Sequence, residues 1–325
     1  ENSPVFQLGL NYELKKSHTF FRGSIGQGYR AATIGEKFII TKVGMFGFYP
    51  NPDLKSERSL NMELGIRQMF RIGAIQGFLD VAGFHQIYNN YIEFFFGPWN
   101  QTTLNAIEQF GFRYFNTGKA TISGAEASLM FEAELADFVN LQTMLNYTYS
   151  LPVCRERDFV YAIINPGRRG EYKYTYNNSA SDPSHGILKY RIQHMAKLDV
   201  NLNFLKRFTV GVGLQYMSSM KIVDKLFLEL DTRAENHAGW LDKLSGDIVM
   251  PFDGMVNFME EHKNGSLILD LRASVELGSF TIAVMMNNVL NSTYALRPLC
   301  VEPPRLTKVQ VMYRFTEKYR ERKTE

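Results

Sequence analysis

The sequence holds six histidines, His18, His85, His185, His194, His237 and His262, and their spacing gives no metal site. There is no HExxH and no i, i+4 pair of the kind a catalytic zinc requires. There is no GxSxG elbow and no phosphate-cradling glycine loop either. Cys154 and Cys300 lack the CxxC spacing of zinc or redox work. A run of acids, Asp224, Glu229, Asp231, Glu235, Asp242, Asp247, Asp253, Glu260 and Glu261, lacks the D-x-D-x-D spacing of a calcium loop and is expected to form a solvated surface. One constellation could grip a ligand. Arg155, Arg157, Arg168, Arg169 and Lys173 are interleaved with Tyr161, Tyr172, Tyr174 and Tyr176. Cations beside aromatic faces suit an anionic or sugar-like molecule. The competing reading is a loop packed on its neighbours or on a partner. The chain reads as a non-enzyme with no cofactor, and its ligand-binding residues stay unassigned.

The chain of 325 residues is 45% hydrophobic, 21% charged and 14% aromatic, with a formal net charge of +3. That composition is too apolar for disorder. It also offers no concentrated basic face for nucleic acid. No stretch provides the roughly 20 apolar residues of a membrane helix. The longest charge-free window near the C-terminus, 279–296, is interrupted by Asn287, Asn288 and Asn291. The sequence opens on Glu1-Asn2-Ser3-Pro4, with no start methionine and no charged segment before an apolar core. It therefore reads as a piece of a longer chain.

The dominant period is two. Leu267, Leu269, Leu271, Ala273, Val275 and Leu277 alternate with Ile268, Asp270, Arg272, Ser274 and Glu276. Phe208, Val210, Val212, Leu214 and Tyr216 alternate with Thr209, Gly211, Gly213 and Gln215. The same reading holds around Leu141, Leu60 and Leu8, and for the register containing His194, which reads as an interfacial position. This is strand periodicity with one apolar and one polar face. It predicts eleven strands, near 4–14, 18–30, 59–71, 75–96, 112–134, 137–150, 187–204, 208–219, 266–277, 279–290 and 305–315. Short connections alternate with long ones at about 31–58, 97–111, 151–186, 220–265 and 291–304. A soluble sandwich has no reason to gather its long loops at one end. An outer-membrane barrel does, with apolar residues toward lipid and aromatic girdles at both interfaces.

Specific segments then resemble the TonB-dependent outer-membrane receptor family, in its Bacteroidota-type form. They are Tyr29-Arg30-Ala31-Ala32, Asn51-Pro52-Asp53-Leu54-Lys55-Ser56-Glu57 followed by Glu63-Leu64-Gly65, Asn116-Thr117-Gly118-Lys119-Ala120 with Gly124-Ala125-Glu126, and Asn287-Asn288-Val289-Leu290-Asn291 with Tyr294. Arg305 to Phe315 resembles the closing strand. Ala32 and Ser56 stand where the family usually has proline, and residues 316–325 run past its usual terminal aromatic. The resemblance implies an all-β transmembrane antiparallel barrel of 22 strands, of which residues 1–315 are about eleven C-terminal strands, without the plug. Residues 316–325 are a charged periplasmic tail or an appended extension.

The implied function is barrel-mediated import of a bulky nutrient: siderophore, cobalamin, oligosaccharide or peptide. The implied partners are the N-terminal half of the barrel and its plug, a TonB-type energiser in the periplasm, and lipid and lipopolysaccharide. A SusD-like surface lipoprotein or other outer-membrane subunits are further candidates, and nucleic acid is not. The alternative is a barrel of the same fold that scaffolds a larger outer-membrane complex. The implied location is the bacterial outer membrane, with long loops extracellular. Cys154 and Cys300 both fall in such loops, where a disulfide would persist and tie two loops over the mouth; two free or separately paired thiols are the competing reading.

Overall fold

Alternating apolar and polar positions require a two-sided surface, and the chain builds one by pairing eleven strands. The computed structural model describes residues 4–43, 46–99, 110–165, 167, 169–232, 254–297 and 300–315. Its main sheet runs β1 (Gln7–Leu14), β2 (Thr19–Arg30), β5 (Glu57–Ile72), β6 (Ile75–Asn89), β9 (Ala120–Ala136), β10 (Val139–Cys154), β13 (His194–Phe204), β14 (Phe208–Met217), β15 (Ser266–Leu277), β16 (Phe280–Asn287) and β19 (Leu306–Tyr313). Every neighbour is antiparallel. The connections hold short strands β3 (Thr41–Val43), β4 (Phe46–Tyr49), β7 (Ile92–Pro98), β8 (Phe110–Asn116), β11 (Ala162–Ile164), β12 (Tyr172–Tyr174), β17 (Ala295–Arg297) and β18 (Cys300–Val301). They also hold helices α1 (Ile34–Phe38), α2 (Tyr176–Ser179), α3 (225–232) and α4 (Met255–Glu261).

The register confirms the two faces. Val200 sits opposite Val212, which sits opposite Leu271; one residue along, Asn201 sits opposite Gly211, opposite Arg272. A slip of one residue would exchange these rows, so the pattern itself fixes the pairing. The apolar face is bare: Leu10 is 73% exposed, Leu64 75% and Val309 69%. Aromatics gather toward the strand ends. Tyr12, Phe21, Phe138, Phe208, Phe280 and Tyr313 lie toward the short turns, and Phe6, Tyr147 and Tyr216 toward the long loops. Tyr147 Oη lies 2.8 Å from His194 Nδ1 in that second group. Among the described residues no helix is long and apolar enough to cross a membrane.

The short turns are hairpins, and their geometry is demanding. Leu205 and Lys206 both take positive φ, 52° and 56°, the mirror-image turn whose twist matches its flanking strands. Gly73 and Gly278 meet the same need without a side chain. Among the described residues β1 pairs only with β2, and β19 only with β16. Every residue of these two edge strands is exposed.

Three expected strand limits are corrected. The span 75–96 is two strands, broken where Asn90 takes φ 55°, and 112–134 is likewise β8 and β9, broken at Gly118 with φ 83°. Beyond these breaks β7 and β8 pair with each other and with β4 and β3 in a separate four-stranded sheet. The physical reason is the run Phe94-Phe95-Phe96, which has no polar side and is buried on both faces. The span 187–193 is not strand, because the chain turns into the mouth there, with Tyr190 at φ 60°.

Candidate functional site

The polar face of the main sheet carries two charge constellations built the same way. Arg22 on β2 reaches across β5 to Asp80 on β6, with Nη1 2.6 Å from Oδ2, and also bonds Glu63 at 3.0 Å. Arg67 donates to the same Asp80 oxygen at 2.7 Å and lies over the Phe78 ring. On the other side Arg272 of β15 reaches across β14 to Asp199 on β13 at 2.5 Å, and donates twice to Asn201 Oδ1. Each arginine crosses a glycine. Gly65 is paired with Arg22 and Gly211 with Arg272. A Cβ at Gly211 would come within 2.3 Å of Arg272 Nε, and one at Gly65 within 2.7 Å of Arg22 Cζ. These glycines are present for side-chain passage, not for backbone freedom. At the short-turn end the same face forms a recess of about 530 Å³ where Arg71, Glu132, Arg207 and Glu276 gather.

At the long-loop end lies a mouth assembly. The small sheet is covered on one side by Tyr190, Val223 and Phe227 packed on Phe96 and Phe112. On its other side Tyr161 stacks on Phe95 at 4.1 Å. Asp224 is buried between them. Its carboxylate accepts bonds from Lys189 Nζ, Tyr190 Oη and, at 3.1 Å, the Phe96 amide. Lys189 also donates to Ser179 Oγ at 2.8 Å and lies 4.1 Å from the Phe95 ring centre. Burial lowers the Lys189 pKa more than Asp224 raises it. Beside it Arg191 donates to Glu93 and to Tyr91 Oη, each at 3.1 Å. Burial raises the Glu93 carboxyl above the ordinary range in spite of that arginine. Asp231, fully buried, caps α4 by accepting the Gly254 and Val256 amides.

The acid-rich loop is thus corrected in part. Asp224 and Asp231 are internal ties and not solvated surface, whereas Glu229, Glu260 and Glu261 are on or near the surface in helical turns. Glu235, Asp242, Asp247 and Asp253 lie outside the described residues, as do Arg168, His237 and residues 316–325. The basic–aromatic loop divides. Arg157 donates to the Pro183 and Ser184 carbonyls, Arg155 to Thr121, and Tyr176 Oη to the Ile187 carbonyl, all packing roles. Tyr172 and Tyr174 stay nearer the surface, 4.7 Å apart edge to face. With Asn178, Lys225 and Glu229 they line a recess of about 320 Å³ above Asp224. Cys154 is a free thiol buried with Tyr176 and Leu188, and Cys300 is a free, exposed thiol on β18, so the structure shows no bridge between them. No cluster able to hold a metal occurs among the described residues.

Sequence reasoning missed the Lys189–Asp224 pair. The two groups are 35 positions apart, Lys189 at the start of the expected strand 187–204 and Asp224 in a long loop. It missed also Arg113 on β8, whose Nε is buried without a hydrogen-bond partner among the described residues, and which lies 5.4 Å from the Phe115 ring centre.

The family described as "TonB dependent receptor-like, beta-barrel" matches residues 2–289. The chain belongs to that family. No curated protein sequence matches it. Solved structures that share its fold include the siderophore receptor PirA from Pseudomonas aeruginosa, at 14% identity and TM-score 0.53, covering 96% of this chain and 42% of that one. The Serratia marcescens hemophore receptor HasR, solved with its hemophore HasA and heme, matches at 16% identity and TM-score 0.55, over 96% and 39%. The ferric-catecholate import receptor Fiu from K12 E. coli matches at 16% identity and TM-score 0.53, over 95% and 34%. The chain therefore spans about two fifths or less of these receptors.

Membership makes sense of Asn51, Glu57, Asn116 and Asn288, motif residues that stand at the long-loop rim of this TonB-dependent barrel wall. Asn51 donates to the Tyr114 carbonyl. Asn116 accepts the Lys55 amide and donates to the Lys55 and Asn90 carbonyls. Glu57 accepts the Ile92 amide at 2.9 Å and pairs with Arg30. Asn288, at φ 51°, donates to the Ser292 carbonyl, and its amide bonds Asp270. The motifs are clasps where strands leave the wall. They hold the mouth onto the barrel.

Proposed function

We propose that this chain is the C-terminal half of the wall of an outer-membrane transporter that imports a bulky nutrient, an iron chelate, cobalamin, an oligosaccharide or a peptide. The observation that carries the reading is the two-faced wall. One face is bare and apolar, and the other carries charged and amide side chains in two networks, each passing over a glycine. A water-filled or plugged interior requires the second face and a bilayer the first. The N-terminal half of the barrel and the plug supply the partners for the exposed edges of β1 and β19. A TonB-type protein supplies the energy from the periplasm, and the long loops face the exterior.

The recess under Tyr172 and Tyr174 supports ligand contact at the mouth, since paired aromatic planes beside an amide and charges suit polar, bulky molecules. The test is uptake of labelled iron chelates, cobalamin, oligosaccharides and peptides by cells carrying the whole receptor, with and without the energiser. Energiser-dependent uptake of one class is expected. A correctly inserted protein that supports none of them would indicate the scaffold reading. Orientation has its own check: a membrane-impermeant maleimide should label Cys300 on intact cells and spare buried Cys154.

A further inference from the structure

The mouth buries an amine and two carboxyl groups together, and import of a nutrient has no use for any of them. The Lys189 and Asp224 side chains are 1% and 2% exposed, and Glu93 is 5% exposed. The Phe95 ring lies 4.1 Å from Lys189 Nζ, and Tyr190 and the Phe96 backbone both bond Asp224. Glu93 stands on the same face of β7 as Phe95, two positions away. An ion pair requires only opposite charges in contact. This one has, in addition, the parts of a condensation site.

Both reacting groups are held in the geometry of attack. Asp224 Oδ1 faces Lys189 Nζ. Its Oδ2 accepts two other donors, Tyr190 Oη and, at 3.1 Å, the Phe96 amide. The Tyr190 oxygen accepts the Asp224 amide at 3.2 Å, which leaves its own proton for Oδ2. Two preset donors on one carboxylate oxygen make an oxyanion site. On the amine side, Nζ donates to Ser179 Oγ at 2.8 Å. Ser179 gives its own proton to the Thr175 carbonyl at 2.7 Å, so toward Lys189 it only accepts. With Ser179 on one side and the Phe95 ring on another, the lone pair that Nζ gains on passing a proton to Asp224 points at the carboxyl carbon. Burial pushes Lys189 toward its neutral, nucleophilic form. Burial also favours the protonated form of Glu93, and the charges of Glu93 and Lys189 act on each other.

We propose that Lys189 and Asp224 condense into an intramolecular amide, with Glu93 as the proton carrier. The ion pair is the state before the step. Nζ passes a proton to Oδ1, and its lone pair attacks Cγ. The Nζ–Cγ bond forms, and the displaced carbonyl pair rests on Oδ2 between Tyr190 and the Phe96 amide. Glu93 gives its proton to the Oδ1 hydroxyl and takes one from Nζ. The Cγ–Oδ1 bond breaks, the carbonyl re-forms and one water leaves. Ammonium and carboxylate have become amide and water, Glu93 is restored, and no oxidant or reductant enters. The recess of about 320 Å³ lined by Ser179 and Asp224 gives the water a way out. The bond ties the chain at Lys189 to the start of α3 and removes two desolvated charges, whichever cargo the receptor carries.

The whole receptor, purified from outer membranes, tests this by tryptic digestion and mass spectrometry. An amide on Lys189 blocks cleavage there, so residues 174–191 should appear joined to 222–225, lighter than the two peptides together by one water. Tyr190→Phe removes one Oδ2 donor and should slow the joining in newly made protein roughly a hundredfold. Glu93→Gln should keep the mouth folded and leave the pair unjoined. Lys189→Met with Asp224→Leu should give 174–191 and 222–225 as separate peptides, which confirms the assignment of the joined species. If a variant fails to fold, the wild-type digest still decides. Full recovery of separate 174–189 and 222–225 from folded wild-type protein would overturn the proposal. Joining at the wild-type rate in both Tyr190→Phe and Glu93→Gln would overturn the roles given to those residues.

Discussion

The wall and the mouth of this molecule each hold an acid–base pair, and they hold it in opposite ways. Arg272 and Asp199 in the wall keep about a third of their side chains exposed toward the polar side. Lys189 and Asp224 in the mouth are 1% and 2% exposed. The wall pair is screened by solvent, and its contribution to stability is small. The mouth pair has given up its hydration, so each charge depends on the other and on Ser179, Tyr190 and the Phe96 amide. The wall thus tolerates changes to single charges, whereas in the mouth one charge cannot be removed without stranding the next.

The largest effect should come from breaking the mouth pair. Asp224→Ala leaves Lys189 buried and unmatched, which costs about 3–5 kcal/mol. It should appear as lost hydrogen-exchange protection across residues 176–193 and 222–232, while β9 and β10 keep theirs. Removing both charges in Lys189→Met with Asp224→Leu should recover much of that loss.

Next comes the apolar face of the wall. Val200→Arg or Leu269→Arg near the bilayer midplane should cost about 2–4 kcal/mol in refolding titrations. Gln142→Arg, exposed on the opposite face, should stay within about 0.5 kcal/mol. Equal damage from both faces would overturn the register. Asn201 lies on that same polar face, yet Asn201→Arg should not be mild. Asn201 Oδ1 accepts Arg272 Nε at 2.9 Å and Nη2 at 2.7 Å, so a second arginine there meets the first.

A smaller effect tests the glycine crossings. Gly211→Ala should cost about 1–3 kcal/mol by displacing Arg272. In an Arg272→Ala background the same substitution should cost much less, and a double-mutant cycle reads the coupling. The smallest effect concerns Glu93. Because burial holds its folded pKa above the ordinary value, the folded mouth binds a proton that the unfolded mouth does not between those two values. Mouth stability should therefore be greatest below the ordinary glutamate pKa and fall as pH rises through the raised one. Glu93→Gln should flatten that slope in hydrogen exchange measured across mildly acidic pH, with little change in overall protection.

The sequence by itself determined the wall. Its period of two named the faces of nearly every strand and the hairpin turns, because a residue's side of a sheet is decided by its immediate neighbours and by nothing distant. Its motif residues, from Asn51 to Asn291, carried the family resemblance, but Asn116 to Gly118 read as the interior of one strand until the structure broke it there. Tertiary structure alone decided the mouth. Phe94-Phe95-Phe96 carries no alternation, so only the arrival of Tyr190, Phe227 and Tyr161 from distant segments explains why β7 departs from the sheet. Asp224 and Asp231 look like members of an acidic surface run until Lys189 and the α4 amides close over them. Gly65 and Gly211 read as weak points of strands until an arginine is seen passing over each. In all three cases the deciding interaction joins residues far apart in the chain, and burial, which sets its strength, exists only once the chain has folded.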